Sequence, residues 1–294
     1  MSPQVIDRVT GKAFTEKVFG EKWLKTLYGG NFLGAFLLHT LVKFSWFSKL
    51  FGFWQSLPFT KKKIVPFVKE YDIDANEFEK EIRDFSSFND FFTRHLKKSA
   101  RPIVEEKSAA CIPADGRYLF YENIEKTDGF VVKGKKFSLI ELLGNEELAK
   151  RYASGSLVIA RLAPCDYHRF HFPSPGIPGK PLLIQGPLFS VNPMALKKKL
   201  SILTENKRVI TELITPSFGK VMIIEVGATN VGSIVQTHQS GREVKKGEEK
   251  GYFAFGGSTI ILLFEKGKIS FCKDLLQKNK EIRCLMGQAM GYSL

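Results

Sequence analysis

The sequence predicts an α+β protein in which a helical N-terminal region, residues 1–108, precedes a β-rich body, residues 109–294. The first observation is that apolar residues recur at helical spacing in segments before residue 98. The second is that short β-prone runs punctuated by Gly and Pro take over from Cys111 onward. Many short strands with turn signals are typical of a sandwich or barrel-like body of mainly antiparallel strands.

The N-terminal segments set the expected order of the first elements. Residues 1–20 are mostly polar and are expected to be extended or rich in turns. Amphipathic helices are predicted over residues 21–28 and 32–42, with two glycines between them as helix breakers. A helix needs about 20 apolar residues to span a bilayer, so the second of these helices is too short to cross a membrane.

The next segment, residues 44–54, holds six aromatic side chains, and four of its aromatic residues recur at helical spacing. Lysines flank it at Lys43, Lys49 and residues 61–63. Aromatic residues beside lysines are typical of a helix that lies in the headgroup region of a membrane. The alternative is a core helix with a solvated lysine tail. The composition therefore favours residues 1–108 as a membrane-associating region.

The charge of the chain indicates an anionic partner. Lys and Arg total 44 against 30 Asp and Glu, a net charge of +14, and residues 1–65 alone hold ten basic and three acidic side chains. Nucleic acid, anionic lipid and acidic small molecules all fit a basic surface. Because the positive excess coincides with the most aromatic segment, a membrane surface is the expected partner and nucleic acid is not.

Further helices are predicted over residues 76–84, 89–96 (capped near Ser87), 138–143 and 146–152. Strands are predicted at residues 117–121, 130–132, 157–162, 167–172, 182–184, 209–213, 220–226, 233–238, 252–255, 260–264 and 269–271. The sequence contains no P-loop, no Rossmann glycine fingerprint and no internal repeat at a fixed period.

The cysteines indicate a reducing compartment. Cys111, Cys165, Cys272 and Cys284 form no CxxC pair, and no histidine lies at zinc-ligand spacing from them. The first residues are polar and mixed in charge, so no secretory signal is expected. Reduced thiols, a cytosolic setting and no metal are therefore predicted.

Three clusters in the β-rich body carry side chains capable of chemistry. Asp115 lies in a Pro-Ala-Asp-Gly turn just before a predicted strand. His168 and His171 share the motif Asp-Tyr-His-Arg-Phe-His, in which a bend is needed to bring both rings to one site. Ser258 follows two glycines and precedes an apolar strand, so it lies on a glycine-built corner. The alternatives are an ordinary turn aspartate, an exposed aromatic loop and a simple tight turn.

An acid, a histidine and a serine suggest a triad in which the histidine takes the serine proton and the acid orients the ring. The setting does not suit a hydrolase, because the Gly-x-Ser-x-Gly elbow is absent and the serine precedes a strand instead of a helix. A different use of the serine is therefore expected.

Five signatures follow one another along the chain: Phe88-Asn-Asp-Phe-Phe-Thr-Arg94 with Arg101-Pro102, Ala114-Asp115-Gly116, Asp166-Tyr-His168-Arg-Phe-His171, Leu188-Phe-Ser-Val-Asn192 and Gly256-Gly257-Ser258-Thr259. In these signatures and their order, and over almost its whole length, the chain resembles the phosphatidylserine decarboxylase proenzymes. No position that the family's mechanism needs departs from its pattern.

This resemblance implies self-cleavage between Gly257 and Ser258. The products would be a β chain of residues 1–257 and an α chain of residues 258–294, held together without a covalent bond. Attack by the Ser258 hydroxyl converts the amide to an ester. Elimination and hydrolysis then turn Ser258 into an N-terminal pyruvoyl group, the only cofactor implied, without PLP or a metal.

The resemblance also assigns roles to individual side chains. Asp115, His171 and Ser258 are implied as the self-cleavage triad, with His171 as base and Asp115 orienting its ring. His168 is implied as the acid that delivers a proton to the substrate during decarboxylation. Two further residues are implied to line the substrate pocket, Ser190 and Asn192.

The implied reaction converts phosphatidylserine to phosphatidylethanolamine. The pyruvoyl ketone would form a Schiff base with the serine headgroup and accept electrons as CO₂ leaves. The implied partners are the phospholipid in a membrane and the two chains of one precursor, with a homodimer left open. The expected location is the cytoplasmic side of the cell membrane, as a peripheral protein. Two alternatives remain: a pyruvoyl decarboxylase of a soluble amino acid, and an unprocessed lipid-binding module with the same fold.

Overall fold

A sheet of ten strands forms the centre of the computed structural model, which describes residues 4–17, 45–125, 138–191, 195–196, 201–228, 234–254, 256, 258–277 and 280–294. The strands are β1 (Gln4–Asp7), β2 (Ala13–Thr15), β3 (Ala109–Cys111), β4 (Gly116–Tyr121), β5 (Ser156–Leu162), β6 (Arg169–His171), β7 (Ile177–Pro178), β8 (Leu182–Ile184), β9 (Arg208–Thr215), β10 (Gly219–Gly227), β11 (Ile234–Gln236), β12 (Glu249–Phe253), β13 (Ser258–Phe264), β14 (Ser270–Phe271), β15 (Glu281–Cys284) and β16 (Ala289–Tyr292).

The order of strands in this large sheet is β2-β1-β15-β4-β5-β13-β10-β9-β7, and β8 also pairs with β9. Two smaller sheets have the orders β11-β12-β6 and β14-β16-β3. Among the strand pairs in the described residues, only β1 with β15 is parallel. The body is therefore mainly antiparallel, as predicted.

Few helices accompany the strands: α1 (Ser45–Gln55), α2 (Ile64–Glu70), α3 (Phe88–Phe92), α4 (Leu139–Leu143), α5 (Glu146–Tyr152) and α6 (Ile202–Glu205). The helices predicted over residues 21–28 and 32–42 lie outside the described residues. In the part of the chain that the structure describes, no helix is long and apolar enough to cross a membrane.

The prediction of a helix over residues 76–84 is wrong. Two short 3₁₀ turns replace it, Ala75–Glu77 and Ile82–Asp84, and Phe78 between them is extended. The side chain of Asp74 caps the first turn. Phe78 then forms an isolated strand bridge, and its ring is buried among other phenylalanines. Burial of the Phe78 ring accounts for the break, because a continuous helix is interrupted where the chain brings this ring into the cluster.

Other predicted elements are confirmed with shifted ends. Ser87 caps α3 by accepting a hydrogen bond from the Asp90 amide at 3.2 Å, although α3 ends at Phe92, four residues earlier than predicted. The predicted helices at 138–143 and 146–152 correspond to α4 and α5. The run at 130–132 lies outside the described residues. Six strands are absent from the sequence prediction: β1, β2, β3, β7, β15 and β16.

The large sheet is covered on both faces, which explains the sequence of β13. Alternate side chains of a strand point to opposite faces. Ile260 belongs to a buried cluster with Phe170 and Phe253 of the β11-β12-β6 sheet. Its neighbour Ile261 belongs to a second cluster with residues of α4, α5 and α6. Every residue of β13 is buried, and a strand covered on both faces requires an uninterrupted apolar run.

Candidate active site

Three neighbouring strands of the large sheet bring two of the predicted residues to one end. β4 begins directly after Asp115, and β13 begins at Ser258. β5 lies between these strands, with Arg161 opposite both Arg117 of β4 and Thr259 of β13. Since neighbouring strands are about 4.8 Å apart, the backbones of Asp115 and Ser258 lie about 10 Å apart at this end.

Ser258 is fully buried, and its side chain lies on the same face as Ile260, under the β11-β12-β6 sheet. Its partner on β10 is Gly227, so no side chain faces it from that strand. The Ser258 hydroxyl has no hydrogen-bond partner among the described residues. A buried hydroxyl without a partner is unfavourable and therefore rare, which marks Ser258 as a candidate nucleophile.

The backbone before Ser258 has a conformation that favours glycine. Gly256 has a φ of +140°, a conformation that residues with a side chain rarely adopt. Gly257, whose carbonyl carbon is the predicted target of the serine, lies outside the described residues.

His171, at the end of β6, has the protonation state of a base. Its Nδ1 lies 3.0 Å from the carbonyl oxygen of Gly247. A carbonyl oxygen only accepts hydrogen bonds, so Nδ1 carries the proton and Nε2 keeps its lone pair. Nε2 is buried and has no partner within the described part of the chain. Burial lowers the pKa of His171, against the opposing effects of the Gly247 hydrogen bond and the Glu249 and Asp115 charges.

Asp115 is held by an arginine instead of a histidine. Arg101 donates to both carboxylate oxygens of Asp115, with Nη2 at 2.7 Å, and the Met286 amide donates to Oδ1 at 2.8 Å. No hydrogen bond joins Asp115 to His171 among the described residues. The two segments are nevertheless adjacent, because the His171 amide donates to the Pro113 carbonyl at 2.8 Å. Asp115 therefore acts on His171 through its charge, and Gly247 orients the ring.

His168 is the most deeply buried titratable group of the cluster. Its ring is stacked on Phe92 with centroids 4.0 Å apart, and Nε2 donates to the Ala163 carbonyl at 3.0 Å. Burial lowers the pKa of His168 to about 3, although the charge of Asp166 opposes this shift. The imidazole is therefore neutral at physiological pH, with a buried Nδ1 lone pair that has no partner in the described regions.

A sequence profile of the family described as "Phosphatidylserine decarboxylase" matches residues 88–292, well over half of the chain. The chain belongs to the phosphatidylserine decarboxylase family. The phosphatidylserine decarboxylase proenzyme of Chlamydia pneumoniae is 51% identical, over 99% of this chain and 97% of the relative. The proenzyme of the same name from Fusobacterium nucleatum is 48% identical over 98% and 97%. That of Chlamydia trachomatis serovar L2 is 46% identical over 97% and 96%.

Of the two pocket residues implied by the decarboxylase resemblance, Ser190 is half-buried and Asn192 lies outside the described residues. The segment around Ser190 is fixed by Asn206, which sequence reasoning missed. Asn206 is fully buried and donates to the carbonyls of Phe189 at 2.7 Å and Gly227 at 2.8 Å. Because Gly227 lies opposite Ser258, Asn206 holds the Ser190 segment close to the candidate nucleophile.

Two arginines of the family signatures have roles that the sequence leaves undefined. Arg101 joins Asp115 to Glu77, to which it donates at 2.8 and 3.0 Å. Arg94 is buried and donates to the carbonyls of Cys165 and Asp166, in the turn before His168. Burial lowers the pKa of Arg94 to about 10, which the charges of Asp115 and other acidic groups oppose. In the sequence, the only indication of a role for Arg94 and Arg101 is that each lies in a family signature.

The chemistry of the site fits the prosthetic group that the decarboxylase family implies. A pyruvoyl group forms from a serine at a cut backbone bond, and Ser258 combines an unpartnered buried hydroxyl with a glycine-specific backbone before it. Within the described residues, no group of three or more His, Cys, Asp or Glu side chains could hold a metal ion.

Proposed function

We propose that this chain is a phosphatidylserine decarboxylase proenzyme, a carboxy-lyase that cleaves itself between Gly257 and Ser258 to make its own cofactor. The observation that carries the proposal is a property that Ser258 Oγ and His171 Nε2 share. Both atoms are buried without a partner among the described residues, one a hydroxyl and the other a basic nitrogen. A hydroxyl nucleophile needs such a base to be activated.

The proposed self-cleavage begins with Ser258 Oγ attacking the carbonyl carbon of Gly257 while His171 Nε2 takes the hydroxyl proton. The C–N bond breaks as an ester forms, and His171 returns the proton to the departing nitrogen. The negative charge of Asp115 stabilises the imidazole of His171 while that ring is protonated and positive. Loss of the Ser258 Cα proton then breaks the Cβ–O bond and releases Gly257 as a carboxylate; hydrolysis of the dehydroalanine left at residue 258 gives a ketone and ammonia.

The described contacts support lasting association of the two products, residues 1–257 and 258–294. In the α chain, β13 lies between β5 and β10, and β15 lies between β1 and β4. Among the described residues, three ion pairs also join the two chains: Arg161–Glu281 at 2.7 Å, Asp7–Arg283 at 2.8 Å and Arg8–Asp274 at 2.6 Å.

Once formed, the pyruvoyl group supplies an electrophilic carbonyl that accepts electrons as CO₂ leaves. His168 is proposed as the acid that delivers a proton to the substrate carbon, because its buried Nδ1 has no partner among the described residues and can hold that proton in transit. Ser190 and Asn192 are proposed to contact the headgroup.

The surface of the helical N-terminal region supports a substrate that lies in a membrane. In the described residues from α1 to α2, five large apolar side chains are 44–65% exposed: Leu50, Phe53, Trp54, Phe59 and Val65. The basic run Lys61–Lys63 lies among them in the sequence, and Lys63 Nζ is 4.4 Å from the Trp54 ring centroid. Exposed apolar side chains beside lysines suit the headgroup region of an anionic bilayer. A peripheral position on the cytoplasmic side of the cell membrane is proposed on this basis.

The test compares full-length wild-type protein with the variants Ser258→Ala and Thr259→Val on denaturing gels and by intact mass. Thr259 is a matched control, because its buried hydroxyl also lacks a partner among the described residues but lies on the opposite face of β13. The wild type and Thr259→Val should appear as two chains, and Ser258→Ala as one chain near 33.2 kDa. Cleavage of Ser258→Ala would refute the role of Ser258.

The same preparations separate the alternatives. A wild-type protein that stays in one piece would favour an unprocessed lipid-binding module. Release of CO₂ from free serine but not from phosphatidylserine vesicles would favour a decarboxylase of a soluble amino acid. Conversion of vesicle phosphatidylserine to phosphatidylethanolamine by the cleaved protein alone is the expected result.

A further inference from the structure

The N-terminal arm, residues 4–17, carries two buried carboxylates, Asp7 in β1 and Glu16 after β2. β1 pairs with β15, and β2 pairs with β1 at the edge of the large sheet. Most side chains after β1 in this arm are exposed or half-buried. Glu16, directly after β2, is the exception, with only 5% of its side chain exposed. Burying a carboxylate is unfavourable unless charged partners surround it. The partners of Glu16 therefore indicate what this side chain does.

Glu16 lies between two buried arginines. Its Oε1 is 2.7 Å from Arg117 Nε, and its Oε2 is 2.7 Å from Arg161 Nη2. Each arginine has a second carboxylate partner: Arg117 binds Asp166, and Arg161 binds Glu281 at 2.7 Å. Negative and positive groups therefore alternate along one network, with Glu16 at its centre.

One end of this network reaches His168. The Asp166 carboxylate that binds Arg117 also accepts a hydrogen bond from the Ala163 amide at 2.6 Å. The carbonyl of the same Ala163 accepts the hydrogen bond from His168 Nε2. This hydrogen bond determines which ring nitrogen of His168 carries the proton. Glu16 thus connects to the protonation state of His168 through Arg117, Asp166 and Ala163.

We propose that Glu16 is a positioning residue for decarboxylation, which keeps Arg117 oriented toward Asp166 and so fixes the ring of His168. The inference rests on the proposed role of His168. An uncharged replacement would remove the negative charge that lies between Arg117 and Arg161, so the repulsion between these two buried guanidinium groups would no longer be offset. Arg117 would then shift from Asp166, and the turn from Ala163 to His168 would lose its anchor. The groups of self-cleavage, Ser258, His171 and Asp115, lie outside this network.

The test uses the full-length variant Glu16→Gln and measures the self-cleavage rate, kcat and KM separately. Asp7→Asn is the matched control, since it removes an ion pair between the same arm and β15, Asp7–Arg283, outside the network. Glu16→Gln should cleave within about two-fold of the wild-type rate and keep its KM, while kcat falls roughly ten- to hundred-fold, the scale of a small misplacement of a catalytic group. Glu16→Asp should recover part of kcat, and Asp7→Asn should match the wild type.

Other outcomes overturn the proposal. An unchanged kcat in Glu16→Gln would show that the network does not act on His168. Parallel losses of cleavage and kcat, or equal losses in Asp7→Asn, would show a purely structural role. If Glu16→Gln is insoluble, Glu16→Asp decides alone: a lower kcat with normal cleavage supports the inference, and normal kcat refutes it. Failure of the wild type to cleave would instead count against the proposed function.

Discussion

Arg101 donates to both carboxylate oxygens of Asp115, at distances of 2.7 to 3.1 Å, and this guanidinium occupies the position in which a hydrogen-bonded triad would have a histidine. The ring of His171 is oriented by the Gly247 carbonyl instead. Asp115 can then influence His171 only through its charge, and its hydrogen bonds fix where that charge lies. The acid and the base are therefore coupled through charge, and no hydrogen bond joins them among the described residues.

Replacing Asp115 by asparagine should slow self-cleavage by about a hundred-fold or more, the usual scale for loss of acid–base assistance. The reason is that the charge favouring protonated His171 is lost. Time courses of cleavage on denaturing gels measure the rate. Glu77→Gln is the control, because it removes the other carboxylate on Arg101 and leaves the charge of Asp115 in place. Equal rates for the two variants would contradict this explanation.

The variant His168→Ala should cleave itself but fail to decarboxylate. His171 and Ser258 remain intact in this variant, whereas the nitrogen proposed to deliver a proton to the substrate is gone. Gel analysis and conversion of phosphatidylserine to phosphatidylethanolamine measure the two steps. His95→Gln, a half-exposed histidine beside Glu249, should retain both. If His168→Ala also failed to cleave, the division of labour between the two histidines would be wrong.

The stability of the folded protein should decrease as the pH falls below 6.5. The pKa of His168 is about 3 in the folded chain against an ordinary value of 6.5, so between these values the unfolded chain binds an additional proton. Acid therefore favours unfolding, by at most about 1.4 kcal/mol for each pH unit from this group. Denaturant unfolding of Ser258→Ala protein at several pH values measures the slope. Adding His168→Gln should flatten it, and an unchanged slope would contradict the assignment.

Replacing Leu50 and Phe53 together by glutamate should abolish binding to vesicles that contain anionic phospholipid. The two side chains are 60% and 65% exposed, and acidic replacements would remove apolar contact and add repulsion. Sedimentation with vesicles measures the bound fraction. Ile177→Glu is the control, because this residue is 47% exposed on β7, in the edge of the large sheet. Loss of binding in the control as well would argue against a specific membrane-facing surface.

The sequence predicted the parts of the fold that depend on local pattern. The apolar run after Ser258 is unambiguous because both faces of β13 are buried. β1 was missed because one of its two partner strands is β15, more than 270 positions away, and the other, β2, is itself only three residues long. The helix predicted over residues 76–84 was wrong because Phe78 is drawn into a phenylalanine cluster.

In the candidate site, too, the features that follow from local sequence pattern were predicted, and those that depend on tertiary contacts were not. Glycines and the serine at residues 256–258 form a local signal, and the two histidines share one motif. The hydrogen bonds of Asp115 with Arg101 and of His171 with Gly247 join separate segments of the chain, so no local pattern predicts them. Asn206 left no signal in the sequence, because an isolated asparagine before a strand is common and its role depends on tertiary contacts with Phe189 and Gly227.

The central place of β13 in the large sheet has a consequence for the lifetime of the cleaved protein. While the chain is in one piece, β13 inserts between β5 and β10 as part of the same molecule. After cleavage and unfolding, the same insertion would require an encounter between two separate polypeptides at their actual, dilute concentration. Cleavage thus makes unfolding effectively irreversible, and the durability of the enzyme is then set by its unfolding rate rather than by a folding equilibrium. If the proposed self-cleavage takes place, each molecule folds once, before its cofactor is formed.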